Sequence, residues 1–419
     1  MNVVSLSARA TAVVLSALLW ASCATDFPGD PPDLDNLEYP VGMALHPSGD
    51  TLYVVNANFD LKYRPQDGGT LSVIDLESLT VLPEQTRTMG SFATTVRLNH
   101  DASRGYVTVR GDSSVTWFDL SEDGRRLSCP LAPNSVDLGK CKFAVPSEPT
   151  GLAYSRGHRT QALLDANGRP LLDNNGRPRL IEQDFDLLAI AHLRDGLVSV
   201  ATVGDTTGTE KPAFSIASAT LVDGPSDIAL QSGERFFVTG RVASSLVAFR
   251  PAIGADAQVL GIYLDAILQV PTPFSSHQGR SLLFSQDKDR LYLTNQSPNS
   301  LLVFDTSEGD NDAVSGTVNH IIDMLDMPQG PNRMAWVSTG EKDLLYITSF
   351  SDDAVAIVDP AIPAIVGRVE VGEGPFDILV DQTKRQQAYV SNFAEHSVSV
   401  LDLSDPLHPV ETHVIGGLQ

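Results

Sequence analysis

Residues 374–402 read GPFDILVDQTKRQQAYVSNFAEHSVSVLD, and this stretch decides the fold because it is the last copy of a repeat. The copy before it, residues 330–359, reads GPNRMAWVSTGEKDLLYITSFSDDAVAIVD. Tyr346 and Tyr389 lie 43 residues apart, and so do Asp359 and Asp402. Because two independent landmarks share one spacing, the two stretches are copies of one structural unit.

Five further copies of this unit lie upstream, and each shows short apolar segments in the same order. They begin near Tyr39, Thr95, Glu148, Gly224 and Ser281. The segments are rich in Val, Ile, Leu, Tyr and Phe and are bounded by Gly, Asp, Asn, Ser and Pro, as strands between turns are. The chain therefore contains seven copies of one β-unit.

A unit of four short antiparallel strands that recurs at roughly 40–55 residues is typical of propeller blades. One blade cannot bury both of its faces, whereas a ring of blades buries them and leaves few free sheet edges. The sequence therefore predicts an all-β fold, a seven-bladed β-propeller of four-stranded antiparallel blades, over residues 39–419.

The strand-end motifs also resemble a known repeat family. Segments Tyr53–Asn56, Tyr292–Asn295 and Tyr389–Asn392 are similar to the Tyr-Val-Thr-Asn motif of the YVTN repeat, found in YncE-like and lactonase-like seven-bladed propellers. The resemblance covers about residues 39–417 and implies the propeller fold. It implies little about activity, because the motif consists of strand and turn residues and propellers host many unrelated functions.

The third copy contains an insertion. Leu163–Pro170 reads LLDANGRP and is followed by the near-duplicate LLDNNGRP at Leu171–Pro178. Asn-Gly pairs favour tight turns, so we expect a protruding ribbon between the first and second strands of blade three. It is either a partner contact or a tolerated loop expansion.

Residues 1–22 predict a signal peptide. Arg9 precedes an apolar run, Ala10–Trp20, which is too short for a membrane span. Small residues then lead to Cys23, which resembles the acylated cysteine of bacterial lipoproteins, although Trp20 stands where that family prefers Leu. We expect a lipid anchor at Cys23; the alternative is an ordinary secretory signal cut nearby. Ala24 follows Cys23, which favours the outer membrane by the enterobacterial sorting rule.

Residues 23–38 would then form a flexible linker between the lipid and the folded body, because Asp26–Asp35 is rich in Pro and Asp. With Cys23 acylated, Cys129 and Cys141 remain as an even pair. In an oxidising compartment such a pair predicts a disulfide, and two free thiols are the alternative.

The net charge of −23 argues against nucleic acid as a partner, because phosphate binding needs a surplus of Lys and Arg. It also argues against docking on anionic lipid surfaces.

Propellers usually bind ligands at the mouth of the central channel, in the loops that enter the inner strands or join second to third strands. The candidate ligand-binding residues in these loops are Arg97, Asp227, Arg333, Asp377, His192 and Arg241. They could hold a small anionic or polar ligand, or they could pair across blades and hold the ring together.

Signatures of catalysis are missing from the sequence. It has no Gly-x-Ser-x-Gly elbow, phosphate loop or dinucleotide fingerprint, and its histidines lack the spacing of zinc sites. We therefore predict no catalytic residue, no metal and no cofactor. The favoured hypothesis is a non-catalytic cell-envelope module, periplasmic or surface-facing, that binds a protein or small ligand through one propeller face. The alternative is a lactonase-like enzyme acting on a small polar substrate at the channel mouth.

Overall fold

The structure is a computed structural model, and it describes residues 29–163, 165, 169–204, 210–243, 245–270, 278–307 and 320–417. The strands of this part form seven antiparallel sheets, and consecutive sheets pack against each other in a ring. The prediction of an all-β, seven-bladed propeller is confirmed. The predicted signal peptide and Cys23 lie outside the described residues.

Five blades consist of four consecutive strands that run from the channel to the rim. Blade 3 contains β11 (Pro149–Ala162), β12 (Leu180–His192), β13 (Leu197–Gly204) and β14 (Phe214–Thr220); blade 4 contains β15 (Pro225–Leu230), β16 (Phe236–Gly240), β17 (Ser245–Ile253) and β18 (Val259–Gln269). Blade 5 contains β19 (Gly279–Phe284), β20 (Arg290–Gln296), β21 (Asn299–Asp305) and β22 (His320–Asp326). Blade 6 contains β23 (Pro331–Ser338), β24 (Asp343–Ser349), β25 (Ala354–Asp359) and β26 (Ala364–Glu370); blade 7 contains β27 (Pro375–Asp381), β28 (Gln387–Asn392), β29 (Ser397–Asp402) and β30 (Val410–Gly416).

In blades 1 and 2 the outer strand is interrupted, so that two short segments pair with the third strand. Blade 1 contains β1 (Pro40–Leu45), β2 (Thr51–Asn56), β3 (Gly69–Asp75), β4 (Thr80–Val81) and β5 (Arg87–Met89); blade 2 contains β6 (Ala93–Leu98), β7 (Arg104–Val109), β8 (Ser114–Leu120), β9 (Leu127–Ser128) and β10 (Lys142–Ala144). Between β9 and β10 a short 3₁₀ turn, Leu138–Lys140, packs beside a disulfide that joins Cys129 to Cys141.

The middle strands are buried on both faces because each blade packs between two others. Every residue of β2 and of β25 is buried. This two-sided burial explains why these segments are almost continuously apolar in the sequence instead of alternating.

The repeated tyrosine of the second strand ties neighbouring blades together. In blade 1 the hydroxyl of Tyr53 donates to the backbone carbonyl of Gly124 in blade 2. In blade 6 the hydroxyl of Tyr346 donates to the carbonyl of Pro406 in blade 7, at 2.5 Å. A buried tyrosine hydroxyl needs a hydrogen-bond partner, and in these two blades the next blade supplies it.

Each inner strand carries an irregularity in the same place. The pairing between the first and second strand shifts just after the first residue of all seven inner strands. A β-bulge turns a side chain away from its regular direction and is common at the rims of sheets. The second residue of each inner strand is therefore released from the regular ladder.

The ring closes through side chains, because no strand is shared between blade 1 and blade 7. Asp50 of blade 1 forms ion pairs with Lys384 and Arg385 of blade 7. Residues 29–38, which the sequence assigned to a flexible linker, lie against the body. Leu37 is only 2% exposed and packs in the cluster that joins blades 1 and 7, while Glu38 pairs with His396 at 3.1 Å. An apolar side chain that fills the closing seam holds this segment in place.

The predicted ribbon extends from blade 3. Strands β11 and β12 continue as a hairpin until Ala162 pairs with Leu180. Beyond it, Leu171 donates to the carbonyl of Leu163, and Arg179 donates to that of Leu171. Within the described residues, no helix is both long and apolar enough to cross a bilayer.

Candidate functional site at the channel mouth

A cavity of about 290 Å³ opens where the second strands join the third strands. All seven inner strands contribute their second residues to its lining: Val41, Thr94, Thr150, Ser226, Arg280, Asn332 and Phe376. The neighbouring loops add Ala57, Phe59, Phe92, Arg110, Arg241, Phe350 and Phe393, and Arg333 lies at the base. We call this space the mouth cavity. Its volume is at the lower end of the range of about 300–1,000 Å³ for ligand pockets.

One side of the mouth cavity is an aromatic wall, formed by Phe59, Phe92, Phe350, Phe376 and Phe393. The ring of Phe393 lies at its centre, 5.4 Å from the ring of Phe59 and 6.0 Å from that of Phe350. Its centroid is 6.2 Å from that of Phe376. These separations fall within about 4.5–7 Å, the range of ring-centroid distances that aromatic pairs in proteins prefer. The rings therefore form one continuous surface.

The other side is an arginine arc, formed by Arg110, Arg241, Arg280 and Arg333. Arg110 pairs with Glu148 at 3.1 Å, and Arg333 pairs with Asp227 at 2.7 Å. Arg241 and Arg280 differ from them. In the part of the chain that the structure describes, neither side chain has an ion pair or a hydrogen bond, and the Nε atoms of both are buried without a partner.

The electrostatics of the arc reflect this lack of partners. Burial, helped by the charges of the neighbouring arginines and opposed by that of Glu148, lowers the pKa of Arg241 to about 10. Burial and the charge of Arg333 also lower the pKa of Arg280. Both guanidinium groups remain charged at neutral pH. The cavity therefore concentrates positive charge in a protein whose net charge is −23.

Below the mouth cavity the channel is crossed by four charged side chains, Arg97, Asp227, Arg333 and Asp377, which we call the channel floor. Arg333 lines both the mouth cavity and a second cavity of about 320 Å³ on the far side, which Arg97 and Asp377 also line. The floor holds two positive and two negative groups, so its charges can balance.

Each carboxylate of the floor is held by backbone donors. Asp227 accepts from the amide of Leu282 at 2.9 Å as well as from Arg333. The two oxygens of Asp377 accept from the amides of Met43 and Ile378, both at 2.9 Å. These bonds join blade 4 to blade 5 and blade 7 to blade 1.

The pKa shifts in the floor show burial competing with charge. Burial raises the pKa of Asp377, although Arg333 and Arg97 oppose the shift. Burial lowers the pKa of Arg97, and Arg333 acts in the same direction. Burial disfavours the charged form of Arg333. The carboxylates of Asp227 and Asp377 outweigh this effect of burial and raise the pKa of the guanidinium.

The structure brings four of the six candidate residues together in the floor and places a fifth, Arg241, on the wall of the mouth cavity. His192 is not among the described residues that line the cavity. It ends β12, where it pairs with Pro149 and Leu197, and it is fully buried. Burial lowers its pKa to about 4, so His192 is a neutral packing residue at neutral pH.

Sequence reasoning missed Arg280 and the aromatic wall. Arg280 is the second residue of its inner strand, where the bulge interrupts the regular pairing, and no sequence motif marks this bulge. A signal for the wall was present: Phe59, Phe350 and Phe393 each follow the end of a second strand in their repeats. Phe350 and Phe393 occupy the same repeat position, directly after the second strand, and Phe59 comes three residues after it. An aromatic residue that recurs in this loop indicates a shared surface.

The polar side chains of the mouth cavity are neutral or cationic. Its described polar residues are arginines, threonines, a serine and an asparagine, and none is a carboxylate or an imidazole. Proton transfer by a side chain usually needs one of those groups. In the described part of the chain, no three His, Cys, Asp or Glu side chains come close enough to share a metal ion.

No protein-family model and no curated protein sequence matches the chain, but solved structures share its fold. Hydrazine synthase of Kuenenia stuttgartiensis matches with a TM-score of 0.56 and 14% identity, over 91% of this chain and 99% of that chain. A protein from Lactobacillus plantarum matches with a TM-score of 0.55 and 13% identity, over 81% and 87%. The periplasmic gluconolactonase PpgL of Pseudomonas aeruginosa matches with a TM-score of 0.50 and 15% identity, over 81% and 87%. At such identities the likeness shows the fold alone.

Proposed function

We propose that this protein is a binding module that captures a small anionic ligand in the mouth cavity. The observation that carries the proposal is the pair Arg241 and Arg280, two partly buried cations in an open cavity, whose Nε atoms are buried with no partner among the described residues. Burying an unpaired charge is costly unless a partner compensates it. A protein retains such a cost where a ligand supplies the partner.

The setting of the arc supports an anion further. The surface as a whole is acidic, so a cluster of arginines creates a local field of the opposite sign that draws anions to the mouth. Guanidinium groups also bind carboxylate and phosphate with two parallel hydrogen bonds. The hydroxyls of Thr94, Thr150 and Ser226 lie on the same lining, but all three donate to backbone carbonyls of the next blade, so the arginines remain the donors for an anion.

The test is calorimetric titration of the full-length protein with glutarate and with inorganic phosphate. We expect at least one of these anions to bind. The double variant Arg241→Gln/Arg280→Gln should weaken that binding by at least about tenfold, since each charge-assisted bond contributes roughly 1.5–3 kcal/mol. The matched control is Arg177→Gln on the exposed ribbon, which should bind as the parent does. If the double variant binds as tightly as the parent, or if the parent binds neither of these anions nor any aromatic anion, the proposal fails.

Hydrolysis of a lactone is the alternative. It would need a group that activates water. The carboxylates next to the arginines of the cavity, Glu148 and Asp227, are held in ion pairs, and Asp377 accepts from backbone amides in the floor. The assay is hydrolysis of δ-gluconolactone. Turnover that is lost in Asp377→Asn would favour the enzyme over the binding module.

We further propose that the protein is a lipid-anchored member of the YVTN/YncE-like propellers in the cell envelope, at the outer membrane, and that one propeller face serves as its binding surface. The apolar run before Cys23 and the repeat motifs support this. The disulfide between Cys129 and Cys141 suits an oxidising compartment. Mass spectrometry of the native N-terminus tests it: an acylated Cys23 is expected, and a mature chain that begins elsewhere would exclude the anchor.

A further inference from the structure

The mouth cavity is divided into two halves of different chemistry. The aromatic wall comes from blades 6, 7 and 1 and from the segment that enters blade 2, whereas the arginine arc comes from blades 2, 4, 5 and 6. The two surfaces therefore face each other across one small space. A ligand that fills this space must satisfy both of them.

The arc indicates how much charge the ligand carries. Glu148 forms an ion pair with Arg110, and Asp227 forms one with Arg333. Arg241 and Arg280 have no ion pair among the described residues, and Glu148 acts on Arg241 only from a longer distance. A ligand with two negative charges would neutralise both Arg241 and Arg280. A monoanion would leave one of them uncompensated.

The wall indicates the rest of the ligand. Phe59 is 56% exposed, and the other rings of the wall are partly exposed. Exposed aromatic clusters of this kind mark surfaces that a ligand covers. A planar ring can stack on Phe393 or approach it edge-on, and such aromatic contacts add to the energy of simple burial.

We infer that the ligand is an aromatic dianion, with its ring on the phenylalanine wall and its two negative charges on Arg241 and Arg280. This inference rests on the proposed function and narrows it from small anions to one chemical class. An aryl dicarboxylate and an aryl phosphate share this chemistry.

The experiment compares matched probes on the full-length protein by calorimetry. Isophthalate is the aromatic dianion, benzoate the aromatic monoanion, and glutarate the aliphatic dianion; phenyl phosphate against inorganic phosphate forms a second arm. We expect the better of isophthalate and phenyl phosphate to bind at least about tenfold more tightly than its partners, because each partner lacks one half of the contacts. Which of the two aromatic probes prevails distinguishes carboxylate from phosphate.

Two variants separate the halves of the cavity. Phe59→Leu should weaken the binding of the aromatic dianion by roughly threefold to tenfold and leave the binding of glutarate unchanged. The ring of Phe59 is exposed, so its loss does not disturb the core. Arg280→Gln should weaken both. Tyr263→Leu, at an exposed ring on the rim of blade 4, is the control and should change neither.

The outcomes distinguish the two proposals. If neither isophthalate nor phenyl phosphate binds more than twofold more tightly than its non-aromatic partner, or if Phe59→Leu weakens aromatic and non-aromatic anions alike, the aromatic class is wrong while the anion-binding function stands. If benzoate binds as tightly as isophthalate, the requirement for two charges is wrong. If no anion in the panel binds, the proposed function itself fails.

Discussion

The mouth cavity and the channel floor use the same residue type for opposite purposes. In the floor, Arg333 lies against the carboxylate of Asp227 and near Asp377, so the charges are compensated within the protein. In the mouth cavity, Arg241 and Arg280 have no partner among the described residues. Both kinds of arginine are partly buried, and the difference lies in what neutralises them. The comparison shows that the role of an arginine in this channel depends on whether the protein itself supplies its counter-charge.

The largest effect is expected in the floor. Arg333→Met would leave Asp227, which is 2% exposed, without its ion pair, and breaking a buried pair by removing one partner costs about 3–5 kcal/mol. Urea unfolding of the full-length protein would measure the loss. The double variant Asp227→Asn/Arg333→Met removes both charges and should recover most of it. A cost below about 1 kcal/mol for the single variant would show that the floor does not hold the ring.

A smaller effect on stability is expected when His192 becomes protonated. This side chain is buried, as the floor residues are, but it lies away from them. Its pKa falls from 6.5 to about 4 in the folded protein, so the unfolded chain binds the proton more tightly. The stabilising contribution of the neutral imidazole is complete above pH 6.5 and is lost as the pH falls from about 6.5 to about 4.

Urea unfolding at several pH values tests this. Relative to His192→Leu, which cannot titrate, the parent should lose about 1–3 kcal/mol of unfolding free energy between about pH 7 and pH 4. Parallel pH profiles for the two proteins would show that the folded protein tolerates a charged His192.

The smallest effect on stability is expected in the mouth. Because Arg241 has no ion pair among the described residues and is repelled by Arg280 and Arg110, Arg241→Gln removes an uncompensated charge and should leave the unfolding free energy unchanged or raise it by up to about 1 kcal/mol. The same substitution should weaken anion binding. A stability loss comparable to that of Arg333→Met would remove the distinction between mouth and floor.

Much of the floor could be foreseen because the repeat aligns equivalent positions. Asp227, Arg333 and Asp377 stand at the third position of their inner strands, and seven copies in a ring must bring such positions to the channel. The pairing of Arg333 with Asp227 could not be foreseen, since it joins residues of two different blades. Nor could the position of His192, because a loop residue in the sequence becomes a strand end in the structure.

The sequence by itself determined the architecture, through seven copies of one pattern of strands and turns and the tyrosine of the repeat motif. It also determined the surplus of acidic residues. These properties are local and repeat, so they are visible without knowing which residues meet. Only the tertiary structure decided the chemistry of the mouth. Three features depend on ring closure: the position of Arg280 in the cavity, the meeting of five phenylalanines from four blades, and the lack of an ion pair for Arg241 among the described residues. They arise from contacts between residues far apart in the chain, which no local pattern records.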